Sequence, residues 1–138
     1  MSNIKAQSSN QSASPKGKIY DLEERTARFG EDVILFAKTI SKNEVTRPLV
    51  GQLVRSATSI GANYMEADGA ESKKDFAHKI AICKKEAKET KHWLRMVATA
   101  DPDKNGDCKR LWVEAKELTL IFSAILLSKK TVTNRSAD

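Results

Sequence analysis

Four segments of this chain repeat apolar residues at alternating steps of four and three positions, and this spacing constrains the fold more than any other feature. In the first segment the repeating residues are Leu22, Thr26, Phe29, Val33, Phe36 and Ile40. The third segment repeats from Phe76 to Val97, and the fourth from Leu111 to Ile125. Such steps place side chains on one face of an α-helix. No alternating β-branched run competes with this pattern, so the chain is predicted to be all-α.

Residues that favour helix ends delimit four predicted helices. The helices span residues 21–43, 47–67, 72–100 and 107–128. Pro48 suits the first turn of the second helix, Gly69 can close that helix in the left-handed conformation, and Ser72 can cap the third. Short connections between amphipathic helices favour an antiparallel up-down-up-down four-helix bundle, which is predicted to span residues 19–130.

The bundle accounts for most of the 138 residues, a length typical of one domain. Residues 1–18 are rich in Ser, Gln, Asn and Lys. Such a composition buries too little apolar surface to offset the entropy of ordering, so a disordered basic and polar arm is predicted. Residues 131–138 are predicted to be a flexible tail.

The cysteines and the apolar segments predict a reduced, cytoplasmic protein. Cys83 and Cys108 form no paired-thiol motif. Residues 1–19 lack the apolar run of a signal peptide. The longest apolar stretch, residues 118–127, is too short to cross a bilayer.

The second helix carries a line of polar residues within its amphipathic pattern. This polar seam consists of Gln52, Ser56, Ser59, Asn63 and Glu66. A helix with one neighbour needs only one apolar stripe, so the polar seam indicates a helix that satisfies two neighbours. The seam could face water between two bundle partners. The interpretation we favour is a buried or interfacial network in which Arg55 pairs with Glu66, Glu86 or Glu89.

The third helix carries a row of basic residues. Residues 71–100 contain eight lysine or arginine residues against four acids, in a chain of net charge +6. The row consists of Lys84, Lys88, Lys91 and Arg95, with Lys85 at its edge and Lys73 and Lys74 in the first turn. One interpretation is a solvated helix face. The other is a surface that binds phosphates, weakly for one helix and more tightly when an oligomer repeats it.

Patterns that resemble metal or catalytic sites each lack a required part. The loop from Asp101 to Gly106 matches the first half of a calcium-binding loop, but its twelfth position is Trp112, where calcium requires a carboxylate. On the third helix, Cys83 lies roughly 140° from His78 and 180° from His92 at about 100° per residue, so the three do not converge. We therefore expect no metal, no cofactor, no catalytic residues and no small-molecule substrate.

Several short segments carry a resemblance to a known family. They are Gln52–Ser56, Ser59–Asn63, Glu66–Ala67, Ser72–Phe76, Glu86–Thr90 and Trp93–Leu94. Together they resemble the bacterial four-helix-bundle proteins encoded by intervening sequences within 23S ribosomal RNA genes, over residues 20–129. In that family a glycine often follows the glutamate directly, whereas here Ala67 does, and this puts the end of the second helix in question.

The resemblance implies a ring-shaped homopentamer with a basic surface suited to nucleic acid. The same fold includes the accessory variability protein of diversity-generating retroelements, which works with a reverse transcriptase and its RNA. The family supplies no catalytic residues that could be carried over.

The sequence thus predicts a non-enzymatic oligomeric scaffold that binds RNA or another nucleic acid through the basic row. The alternative is a protein-interaction adaptor that partners a reverse transcriptase.

Overall fold

The computed structural model describes residues 22–137, with side chains described for residues 22–128. The four α-helices in that range are α1, Leu22–Ala37; α2, Thr46–Asp68; α3, Lys73–Ala100; and α4, Asn105–Ala137. A short 3-10 helix, Pro102–Lys104, leads into α4. The described residues contain no strand, so the all-α prediction is confirmed. The predicted arm, residues 1–18, lies outside the described residues.

Consecutive helices pack against each other, α1 on α2, α2 on α3 and α3 on α4. The contacts between α2 and α3 run in opposite order along the two helices. Ser56 meets Thr90, whereas Glu66, which is further along α2, meets Lys79, which is earlier in α3. The two helices are therefore antiparallel, as short connections require.

An ion pair joins the first helix to the last. The guanidinium of Arg25 donates to both carboxylate oxygens of Glu114, at 2.8 and 2.9 Å. Hydrogen bonding to this carboxylate raises the pKa of the Arg25 guanidinium. Both side chains are about one-third exposed, so we expect this bidentate pair to contribute about 1 kcal/mol. It holds α1 beside α4, consistent with a four-helix bundle.

The core lies where the four apolar faces meet. All six repeating residues of the first segment are buried, including Thr26 and Ile40. The hydroxyl of Thr26 donates to the carbonyl of Leu22 at 2.7 Å, so its burial leaves no unpaired donor. The repeats of α3 and α4 are buried as well, apart from the half-buried Phe76. The heptad-like spacing therefore identified the core correctly.

Helix α1 ends at Ala37, six residues before the predicted end at 43. The Nζ of Lys42 folds back and donates to the carbonyls of Ala37 and Ile40, at 2.8 and 2.9 Å. These bonds satisfy carbonyls that a helix end leaves open. Ile40 is buried even though it lies beyond the helix. The apolar repeat thus continues past the point where the helical backbone stops.

The connection into α2 is held by Asn43. Its Oδ1 accepts hydrogen bonds from the backbone N–H groups of Val45 and Thr46, at 2.8 and 2.9 Å. The hydroxyl of Thr46 donates back to the carbonyl of Ser41 at 2.7 Å. Pro48 lies in the first turn of α2, as predicted.

One of the two predictions for the turn between α2 and α3 is correct. Ser72 caps α3, because its Oγ accepts from the N–H of Asp75 at 3.0 Å. Gly69 has a φ of −95°, so the predicted left-handed closing conformation is wrong. The chain instead tightens its last turn, with the N–H of Ala70 donating to the carbonyl of Ala67 at 3.0 Å.

Helix α4 is longer than predicted at both ends. It begins at Asn105 rather than 107, and it continues to Ala137 rather than ending at 128. Residues 131–137, which fall within the predicted flexible tail, are helical. Residues 128–137 contain neither glycine nor proline, so nothing in this stretch ends the helix.

Glycine permits a close approach between α1 and α2. A Cβ added at Gly61 would lie 3.4 Å from the carbonyl carbon and oxygen of Thr26, and one at Gly30 would lie 3.6 Å from the Cα of Thr58. The neighbouring atoms at Gly61 belong to the backbone of α1, which cannot move aside as a flexible side chain can. By contrast, a Cβ at Gly51 would meet no atom within 4 Å.

We therefore expect Gly61→Val to lower the free energy of unfolding by about 2 kcal/mol, because the larger side chain overpacks the α1–α2 contact. The matched control is Gly51→Val in the same helix. It should change the free energy of unfolding by less than about 0.5 kcal/mol, because glycine and valine have comparable helix propensities. Urea denaturation of the two variants measures the difference. Equal stability of the two variants would contradict this account of the α1–α2 packing.

Both cysteines are buried thiols. Burial raises the pKa of the Cys83 thiol to about 12 and that of the Cys108 thiol to about 11. The Sγ of Cys83 donates to the carbonyl of Ile60 at 3.5 Å. Because a thiolate would lose its hydration in the core, the fold favours the neutral thiol. Neither cysteine is therefore activated as a nucleophile near neutral pH.

Deprotonation of Cys83 should destabilise the fold at alkaline pH. A pKa raised on folding contributes stability that is present below the ordinary thiol pKa and is lost as the pH rises toward 12. From pH 8 to pH 10, the wild-type protein should lose about 1 kcal/mol more unfolding free energy than Cys83→Ala does. Urea denaturation at the two pH values measures this. Equal losses in the wild type and in Cys83→Ala would show that ionisation of Cys83 does not contribute to the pH dependence of stability.

Candidate nucleic-acid interface

Helix α3 presents different chemistry to each of its neighbours. Its middle face fills the core with residues such as Ile80 and Leu94, which are fully buried. The flank that borders α2 carries Glu86 and Glu89, and the flank that borders α4 carries Lys91. These assignments follow from helical spacing, because residues three or four apart share a side. The two flanks therefore have opposite charge.

The basic flank gathers cations from two helices. We call this surface the basic face; it comprises Lys84, Lys88, Lys91 and Arg95 of α3 with Lys116 and Trp112 of α4. Lys88, Arg95 and Lys116 are exposed, and Lys84 and Lys91 are half-buried. Among the described residues, none of these five cations forms an ion pair with a carboxylate. Their charge is therefore available to an external anion.

Trp112 lies between the basic row of α3 and Lys116 of α4. The Nζ of Lys91 is 5.4 Å from the centroid of the indole ring, and the Nζ of Lys116 is 5.8 Å from it. Both distances are within the range of a cation–π interaction. The ring therefore links Lys91 of α3 to α4.

Sequence reasoning missed both residues that α4 contributes to this surface. Trp112 directly follows the core residue Leu111, and Lys116 lies four positions further on the same side. Their spacing could have placed them together on α4. The pairing of that side with the basic row of α3 depends on how the helices are rotated, which the repeat does not specify.

The other predicted basic residues extend the surface to different degrees. Lys73 precedes Lys84 by eleven residues, which is about three helical turns, so it lies on the same side of α3. Lys74 and Lys85 are rotated outward by about 100° from this side and are exposed. Lys73 lengthens the basic face, whereas the other two widen it toward solvent.

The flank that borders α2 is organised around Arg55. Its Nε donates to Oε1 of Gln52 at 2.8 Å, one terminal nitrogen donates to Oε1 of Glu86 at 3.3 Å, and the other bonds to Oε2 of Glu89. The indole nitrogen of Trp93 also donates to Glu89, at 2.9 Å. We call these five residues the acid–arginine cluster. It engages two of the acids of α3 away from the basic face.

The rest of the polar seam forms separate local contacts. Ser56 is fully buried, and its Oγ lies 2.9 Å from the hydroxyl of Thr90, which is also fully buried. Asn63 donates to the carbonyl of Ser59 within α2, at 2.8 Å. Glu66 pairs with Lys79 of α3 at 2.5 Å.

The seam therefore follows the edge of the α2–α3 contact. Gln52 and Glu66 are exposed, as is the neighbouring Arg55, and Ser59 and Asn63 are half-buried. Only Ser56 among the residues of the seam belongs to the interior. Most of the seam is exposed or half-buried, which both the solvated and the interfacial interpretations allow.

The described residues hold no group of three His, Cys, Asp or Glu side chains placed to bind a metal ion. Over the same range, no helix combines the length and apolarity that crossing a membrane requires.

The ring of His92 lies 4.9 Å from that of Trp93, edge-on, beside the acid–arginine cluster. The arrangement best suited to recognition is the basic face.

Comparisons with known proteins agree with this fold. The model of the family described as 23S rRNA-intervening sequence protein matches residues 20–124. The chain is also similar to the crystal structure of a protein of unknown function from the S23 ribosomal protein family of Bacteroides thetaiotaomicron VPI-5482. The two are 27% identical with a TM-score of 0.66, over 75% of this chain and 96% of the other. No curated protein matches the chain.

Arg55→Met should lower the free energy of unfolding by about 1 to 2 kcal/mol, because Glu86, whose side chain is only 11% exposed, would lose its cationic partner. Lys79→Met is the matched control. It removes a second cation that links α3 to α2, but its partner Glu66 is 57% exposed, so the loss should be under about 0.5 kcal/mol.

Thermal or urea denaturation distinguishes the two variants. Combining Arg55→Met with Glu86→Leu should recover most of the stability, since the nearly buried carboxylate is removed. Glu89 also loses Arg55, but its side chain is 30% exposed and keeps the hydrogen bond from Trp93. If Arg55→Met costs no more than Lys79→Met, the acid–arginine cluster does not stabilise the α2–α3 contact.

Proposed function

The chain belongs to the 23S rRNA-intervening sequence protein family, and from this premise we propose that it is a cytoplasmic, non-enzymatic, oligomeric scaffold that binds RNA through the basic face. The main support for the proposal is a surface lined by five cations from α3 and α4. Within the described residues, none of these cations forms an ion pair with a carboxylate. A continuous row of this kind suits a continuous row of phosphates.

Binding of this kind would be driven by release of counterions from the nucleic acid. The logarithm of the affinity then falls linearly with the logarithm of the salt concentration. Each phosphate that Lys or Arg neutralises adds about 0.7 to the steepness of this slope for a single strand. Five contacts on one chain give weak binding at physiological salt. Such a surface would therefore be more effective when several copies act on one RNA.

An apolar line on α4 supports oligomerisation. Val113, Leu120 and Leu127 are 47%, 54% and 66% exposed and follow one another at intervals of seven residues. This interval places them on one side of the helix, facing away from the core seam of Leu111 and Leu118. We propose that this line contacts other copies of the chain, and that the assembly is the homopentamer implied by the resemblance.

The same apolar line favours a second candidate function. An exposed apolar row on a helix is also suited to binding a different protein. In this alternative the chain is an adaptor that partners a reverse transcriptase, and the basic face is secondary.

The RNA-binding proposal is tested by reversing the charge of the basic row. Replacing Lys84, Lys88, Lys91 and Arg95 with Glu should leave the fold and the oligomer mass unchanged, and should weaken RNA binding more than 100-fold at moderate salt, on the order of the effect of removing several phosphate contacts. Fluorescence anisotropy with a labelled single-stranded RNA, repeated at several salt concentrations, gives the affinity and the salt slope.

The matched control reverses four cations away from the basic face: Lys38, Arg47, Lys104 and Arg110. Both variants have the same net charge, so a nonspecific effect of net charge would weaken binding equally in the two. The proposal predicts that the control keeps most of its affinity and a wild-type salt slope. Retained binding by the first variant, or an equal loss in both, would exclude the basic face as the RNA site.

A further inference from the structure

The two tryptophans of the chain lie in contrasting settings, one on each flank of α3. Trp93 belongs to the acid–arginine cluster, where its indole nitrogen donates to Glu89 at 2.9 Å. Trp112 lies in the basic face with Lys91 and Lys116 over its ring. The first ring is held by a carboxylate, and the second is surrounded by positive charge.

Trp112 is not required to fill the core. The fully buried residues in this part of α4 are Leu111 and Ala115, whereas Trp112 is half-buried and packs against the edge of the core. In the described part of the chain, no residue accepts a hydrogen bond from the indole nitrogen of Trp112. This nitrogen is also not among the buried polar atoms that lack a partner. The nitrogen therefore reaches solvent, where a ligand could accept from it.

From this setting we infer that Trp112 is a stacking platform for an unpaired nucleobase, so that the basic face takes single-stranded RNA in preference to duplex RNA. This inference rests on the proposed function and specifies its substrate. A single strand offers a flat base beside each phosphate, and an aromatic ring among cations can bind both parts at once. In a duplex the bases are stacked on each other, and only the backbone remains within reach of such a surface.

The two lysines over the ring can give up their place to an incoming nucleobase. A lysine ammonium lies at the end of a flexible four-carbon chain, so it can leave the ring and pair with a phosphate at small cost. An incoming base would then replace the cation–π contact with a stacking contact. In the free protein, the Nζ atoms of Lys91 and Lys116 lie over the ring.

The test compares Trp112→Leu with Trp93→Leu, which are the same substitution on the two flanks of α3. Each variant is titrated with a short single-stranded RNA, with the matching single-stranded DNA and with a duplex RNA of equal length. Trp112→Leu should weaken binding to both single strands about tenfold, the loss expected for one stacked base, and should leave duplex binding unchanged. Trp93→Leu should alter none of the three, provided that its circular dichroism and oligomer mass match the wild type.

Fluorescence gives a second readout that does not depend on affinity. In Trp93→Phe the emission comes from Trp112 alone, and single-stranded RNA should quench it, whereas duplex RNA should not. In Trp112→Phe the emission comes from Trp93, and neither RNA should quench it. Quenching of Trp112 by stacking would persist at saturating RNA, where a difference in affinity no longer matters.

The outcomes separate this inference from the function on which it rests. If the wild type binds RNA, the charge-reversed variant does not, and Trp112→Leu binds both single strands as the wild type does, the stacking site is wrong and the basic face stands. If the wild type binds no RNA of either kind, both are wrong. Equal weakening of single-strand and duplex binding would also overturn the inference, as would tighter binding of a poly-glutamate peptide that depends on Trp112.

Discussion

The rest of the structure depends on the position of α3, which is packed between α2 on one side and α4 on the other. A helix in that position gives its middle face to the core and keeps only two partly exposed flanks. Glu86 lies on the flank that borders α2 and is nearly buried, so it must have a cationic partner there, and Arg55 supplies it. The lysines of the opposite flank consequently meet no acid in the described part of the chain. Packing, more than net charge, therefore creates the basic face.

Much of this could be predicted because it is local. The apolar repeat identified the core down to buried polar members such as Thr26, and Ser72 identified the start of α3. The end of α1 and the closing conformation of α2 were predicted less well. Ile40 continues the apolar repeat after the helix has stopped, and Gly69 closes α2 without the left-handed conformation that a glycine permits. At the end of α1 and at the end of α2, the same side chains are compatible with more than one backbone conformation. The contribution of Trp112 was missed because it depends on the rotation of α4 against α3, which no single helix encodes.

The separation of the two flanks has a functional consequence. The acid–arginine cluster links α2 to α3, whereas the cations of the basic face form no ion pair with a carboxylate among the described residues. Side chains of the basic face can therefore exchange water for phosphates without disturbing the contacts that hold the bundle together. A scaffold of this kind would bind and release RNA as a rigid body, and its affinity would be set by salt and by the number of copies assembled.

Lysine footprinting tests this division of α3 most directly. The protein is acetylated with and without single-stranded RNA at moderate salt, and the modification of each lysine is measured by mass spectrometry. We expect RNA to protect Lys84, Lys88 and Lys116, and to leave Lys38 and Lys79 as reactive as in the free protein. Uniform protection of all lysines, or protection centred on Lys79 at the α2–α3 edge, would contradict the assignment of RNA binding to the basic face.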